Sequence, residues 1–167
     1  VPFKKNVEMT ELVKSIADAK PRDLSIVDPG TPETSLKAFE LPNCSFPLEG
    51  FGPSVLFVRH FYDLLFTKIR SLERTVLIGN PRLGKSMFQF YFLSRIFNLN
   101  VFGPLPPNHV GSTKVEFIIR QQGAEEIEIY HVARKEVISS SGIKVPDLFR
   151  FGDFNPSTTV YLFEPNE

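Results

Sequence analysis

The chain has 167 residues, is 42% hydrophobic, and its 19 basic and 19 acidic side chains cancel. One domain around one main core is the expectation at this length, and zero net charge gives no general attraction to nucleic acid or to an anionic membrane. Cys44 is the only cysteine, which excludes an intrachain disulfide and a multi-cysteine metal site; no apolar run approaches the ~20 residues that cross a bilayer.

In chain order, Val7 to Ala19 reads as a short helix: Leu12, Val13 and Ile16 recur at helical spacing and Pro21 stops it. Pro21 to Pro53 is loop-like, with six prolines and three glycines, and predicts an irregular Pro-rich arm over the core, with Leu24 to Val27 the one strand-like stretch. Residues 1–53 are therefore set apart as a helix and arm, and 54–167 as the main module. From Ser54 to Leu72, Val55, Val58, Phe61, Tyr62, Leu65, Phe66 and Ile69 form an apolar stripe that predicts one amphipathic helix. Thr75-Val76-Leu77-Ile78 predicts a short buried strand, and Lys85 to Phe97 a second helix whose many aromatic residues are core.

The second half has the composition of sheet. Lys114 to Gln121 is rich in β-formers, Gln122-Gly123-Ala124 predicts a turn, and Glu126 to Val132 alternates as a strand wetted on one side does. Lys135 to Ser139 adds a further strand; Ser140 to Ser157 reads as loop with a short helix near Asp147. Thr159 to Phe163 is a buried-strand run ending at Glu164. His60, His109 and His131 are scattered without ligand spacing.

One motif carries chemistry. Gly79-Asn80-Pro81-Arg82-Leu83-Gly84-Lys85-Ser86 fits G-x-x-x-x-G-K-[ST] without a mismatch, between a predicted strand and a predicted helix. At typical residue frequencies the four fixed positions coincide at roughly 4 in 100,000 starts. A loop wrapped at a helix N-terminus aims several backbone N–H groups at one point, and the helix dipole adds positive potential there. Gly84 permits close backbone approach, Lys85 reaches the β- and γ-phosphate oxygens, and the Ser86 hydroxyl ligates Mg²⁺. Arg82 stands where many such loops have Gly; some backbone strain and weaker affinity are expected there, alongside an extra cation for a phosphate. Glu164, at the end of the last apolar run, is the candidate for holding the metal or acting as general base, provided its strand runs parallel beside the motif strand.

Together these residues resemble the P-loop module of the Crinkler effectors of oomycetes and of the retrotransposon hot spot proteins. The resemblance covers Gly50 to Glu167. It rests on Phe57-Val58-Arg59, on Val76 to Leu93 with the P-loop and its aromatic helix, on Phe102-Gly103-Pro104-Leu105-Pro106-Pro107, and on Tyr161 to Pro165. It implies an ATPase module of the broad AAA-like type in a secreted effector that acts in a host nucleus. Arg82 departs from the family pattern, and with only three residues after Glu164 the module is expected to be incomplete and slow in hydrolysis.

The expectation is thus an α/β, P-loop NTPase-like sheet with flanking helices that binds Mg²⁺ and ATP, or less readily GTP. Its binding residues are Gly79 to Ser86, its catalytic residues Lys85 and Glu164, and its metal residues Ser86 and Glu164. The alternatives are a non-catalytic protein-interaction module that keeps the P-loop shape, and a small-molecule kinase. Expected partners are the nucleotide and a protein surface, including self-association through an exposed sheet edge, with neither membrane nor direct nucleic-acid binding.

Overall fold

The computed structural model describes residues 3–26, 34–46, 55–73, 75–76, 85–123, 126–141 and 154–164. The expected helix near Asp147 lies outside them. The chain folds as mixed α/β.

Strand β1 (Lys4–Lys5) leads into helix α1 (Val7–Asp18). Asn6 caps that helix, its side-chain oxygen accepting from the Met9 N–H at 3.0 Å. Met9, Leu12, Val13 and Ile16 bury one face, as the spacing predicts. The segment from Pro21 to Pro53 departs from expectation in part: Leu24 to Ile26 is strand as read, but within a longer β2 (Lys20–Ile26), and β3 (Thr34–Glu40) stands where an irregular arm was expected. With β4 (Val55–Val58) they form an antiparallel sheet ordered β2-β3-β4. Pro21 is tolerated because β2 is an edge strand of this sheet among the described residues, where a missing donor costs little. The helix expected from Ser54 is likewise shorter. Val55 to Val58 pairs with β3, and α2 spans Tyr62–Ser71, burying Tyr62, Phe66 and Arg70 at four-residue steps.

Helix α3 (Lys85–Phe97) is the centre of the core and has its predicted bounds. Phe88, Phe90, Tyr91, Phe92, Leu93, Ile96 and Phe97 are all buried, so the helix is apolar nearly all round because neighbours cover it nearly all round. Phe66 of α2 meets Phe92 with ring centroids 4.8 Å apart, and Phe46 meets Phe90 at 5.2 Å. A short helix α4 (Leu99–Phe102) follows, capped by Asn98. The Asn98 amide also donates to the carbonyls of Ile16 and Ala19, both at 3.0 Å, and so ties down the end of α1, where the Ile16 carbonyl accepts from the Ala19 N–H as well.

The second sheet is formed by β5 (Phe117–Gln122), β6 (Glu126–His131), β7 (Glu136–Ser141) and β8 (Thr159–Glu164), with β1 at one side, in the order β1-β7-β6-β5-β8. Strands β5 to β7 are an antiparallel meander, whereas β8 lies parallel to β5, with Phe117 opposite Thr159 and Gln122 opposite Glu164. Thr10 on α1 exchanges hydrogen bonds with the backbone of Val137 on β7, at 3.0 and 3.3 Å. Residues before and after Ser54 therefore share one core, which runs from Met9 to Val137.

Two further readings are corrected. In β6 Glu126 is exposed, but Glu128 is not turned to water: it lies on the same side as buried Tyr130, toward the main core, while Ile127 and Ile129 join Ile119 in a separate cluster on the far face. In β8 only Val160 and Leu162 pack on the core, and Tyr161 and Phe163 are 44% and 52% exposed, so the run is not a fully buried strand.

Candidate functional site

The phosphate-loop motif meets the described structure at its helical end. Lys85 is the first residue of α3 and Ser86 the second, the latter half-buried. Gly79, Asn80, Pro81, Arg82, Leu83 and Gly84 lie outside the described residues, as do the Leu77 and Ile78 of the predicted strand. Thr75 and Val76 have no regular secondary structure, and Val76 is 82% exposed, so the first half of that strand is not formed as expected.

Contacts along α3 fix its direction over the sheet. Near its start, the Gln89 side-chain oxygen accepts from Arg120 Nε on β5 at 3.1 Å. At its end, the Phe97 ring lies 6.3 Å from that of Tyr130 on β6, and Tyr130 stands opposite Ile118 on β5. As α3 advances from 89 to 97, its neighbours on β5 fall back from 120 to 118. The helix start is therefore directed to the carboxyl end of β5, beside which β8 ends in register. Lys85 lies about 6 Å up the helix from Gln89, and Gln122 about 6.6 Å along the strand from Arg120. The helix start and the ends of the parallel pair thus sit on one side of the molecule. Glu164 closes β8 there, in register with Gln122.

That arrangement has a definite chemical capacity. The unpaired N–H groups of a helix's first turn attract anions, and ligands of open α/β sheets gather beyond the carboxyl ends of parallel strands. The expected flanking differs in one respect: the parallel neighbour of β8 among the described residues is β5, not the motif strand. For a divalent cation, the described residues contain no group of three or more His, Cys, Asp or Glu. The Ser86 hydroxyl is a hard oxygen donor of the kind Mg²⁺ takes, and Mg²⁺ on a nucleotide needs only one or two protein ligands beside phosphate and water.

Beneath the start of α3 is a polar network that sequence reasoning missed. Arg120 Nη1 and Glu128 Oε1 are 2.8 Å apart, with side chains only 7% and 13% exposed, and the Tyr130 hydroxyl donates to Glu128 Oε2 at 2.7 Å. Burial, reinforced by the Glu128 charge, raises the Tyr130 phenol well above its ordinary value, so it stays a donor. The signal was present as Arg120 inside an otherwise apolar run and Glu128 alternating with it across a hairpin. No family model, curated protein or solved structure matches the chain.

Proposed function

We propose that the chain binds a Mg²⁺-nucleoside triphosphate, ATP more readily than GTP, at the N-terminus of α3. The reading is carried by one conjunction: Gly79 to Ser86 matches the phosphate-loop pattern, and it runs directly into a helix that starts at Lys85 and is aimed to the carboxyl ends of β5 and β8. In this proposal the backbone of Gly79 to Gly84 wraps the phosphates, Lys85 neutralises the β- and γ-oxygens, and Ser86 ligates Mg²⁺. Glu164 polarises the attacking water. The finer assignment, an NTPase module like that of the Crinkler effectors, belongs to the same proposal and rests on sequence resemblance.

Isothermal titration with Mg-ATP and Mg-GTP tests it directly. Lys85→Ala should remove charge-assisted bonds contributing about 1.5–3 kcal/mol, a loss of roughly 10- to 150-fold in affinity, with an unaltered thermal transition. Phosphate release by Glu164→Gln, beside Lys85→Ala as blank, then tells a hydrolase from a module that only binds. Absence of heat and of competition against a fluorescent nucleotide would end the proposal, as would equal affinity in the Lys85→Ala protein.

A further inference from the structure

The buried Arg120–Glu128 pair invites a question that stability alone does not answer. Two charges lose hydration when buried, and well-packed apolar residues in their place are commonly as stable or more so. What the pair supplies here is direction. Glu128 accepts from Arg120 on one oxygen and from Tyr130 on the other, so its carboxylate is held from two sides. The guanidinium lies 6.0 Å from the Phe90 ring centroid, which limits its rotation further. Its Nε is left pointing at Gln89, and the 3.1 Å bond there is a link from the sheet to the beginning of α3.

Gln89 is one turn beyond Lys85 and Ser86. The first turn of any helix is its weakest part, because its opening N–H groups have no partners within the helix. A phosphate site built on that turn requires those groups to converge before the ligand arrives. We propose that Arg120, acting through Gln89, is a positioning residue that holds the first turn of α3 in its phosphate-binding geometry, with Glu128 and Tyr130 fixing Arg120 in turn. This rests on the nucleotide-binding reading above. Arg120 touches no phosphate in this scheme; its effect passes through the helix.

The test pairs a readout that needs no ligand with one that does. Gln89→Met keeps length and helix propensity and removes the acceptor; Gln89→Glu restores an acceptor for Arg120. Amide hydrogen exchange at residues 89–91, whose N–H groups bond back to the carbonyls of 85–87, reports whether the first turn is closed. In Gln89→Met those amides should exchange about tenfold faster while α1 and β6 keep their protection, and Mg-ATP should bind about fivefold more weakly. Gln89→Glu should recover the protection. Unchanged exchange at 89–91 overturns the proposal, and so does acceleration spread evenly over the chain, which marks an ordinary core contact. Faster exchange with undiminished affinity in a wild type that binds also overturns it. A wild type that takes up no Mg-ATP refutes the nucleotide reading and the affinity effect with it, whereas the exchange comparison still decides whether the tie orders the turn.

Discussion

Replacing Glu128 by Gln is the most exacting perturbation of this core. The wild-type carboxylate meets two donors with two acceptor oxygens, Arg120 at 2.8 Å and the Tyr130 hydroxyl at 2.7 Å. An amide of the same shape can keep its oxygen on Arg120 only by turning its N–H to the Tyr130 hydroxyl, which must then accept instead of donate, and in either orientation Arg120 keeps a buried charge with no counter-charge at position 128. Breaking a buried pair from one side costs about 3–5 kcal/mol. At about 2–4 °C per kcal/mol for a chain of this size, the midpoint should fall by roughly 6–20 °C. The control is Glu11→Gln: Glu11 and Lys14 are 3.9 Å apart on exposed side chains and their pair is worth about 0–1 kcal/mol. Urea unfolding of both variants, followed by far-UV circular dichroism, gives the comparison. A Glu128→Gln cost under about 1 kcal/mol, indistinguishable from the control, would refute the claim that this pair is buried and mutually dependent.

Two other outcomes follow from the same interior. Burial raises the phenols of Tyr62, Tyr91 and Tyr130, that of Tyr91 to about 12. Unfolded tyrosine loses its proton near ~10, so above that pH the unfolded state binds fewer protons and stability falls, by about 1.4 kcal/mol per pH unit for each tyrosine that stays protonated in the fold. That contribution is complete below pH ~10 and disappears between ~10 and the folded value. Phenolate absorbance at 295 nm should therefore rise together with loss of near-UV dichroism, and ionisation of all four tyrosines near pH 10 in a folded chain would contradict it. Asn98→Leu should cost about 1–3 kcal/mol by removing the amide's bonds to the Ile16 and Ala19 carbonyls, of which Ile16 keeps the Ala19 N–H, and by uncapping α4, measurable by thermal unfolding; a change under about 0.5 kcal/mol would mean water replaces the amide freely.

What the sequence discloses depends on whether local pattern and tertiary partner agree. The bounds of α3 were legible because Lys85 to Phe97 has no strand-like alternation and no breaker. Strand β8 and its terminal Glu164 were legible because four apolar residues meet a carboxylate just before Pro165. Of β2 only Leu24 to Ile26 was legible; its run back through Pro21 was not, since a proline argues against a strand only when its partner strand needs the N–H, and the edge position of β2 is a tertiary fact. Val55 to Val58 carries the same apolar density in either period and is too short to arbitrate. The alternation of β6 foretold buried Ile127 and Ile129, but not that Glu128 is covered as well, because a glutamate is counted as solvent-facing until its arginine is known, and Arg120 lies on the neighbouring strand. The candidate site shows the same limit. Its motif is local and was read from Gly79 to Ser86, while the support under its helix comes from residues more than thirty positions downstream.

Strand β1 has a consequence for the order of assembly in a cell. Lys4 and Lys5 pair with Ser139 and Ile138, so this edge cannot form until the chain has grown past residue 139. At ~5–20 residues per second, synthesis of the intervening stretch takes roughly 7–27 s. Helix α1, which follows β1 directly, can meet α3 well before then, but its Thr10 anchor on β7 arrives only at the end of that interval. Lys4 and Lys5 thus wait for a partner strand made more than a hundred residues later, and a nascent chain would carry the apolar face of α1 partly uncovered throughout that wait.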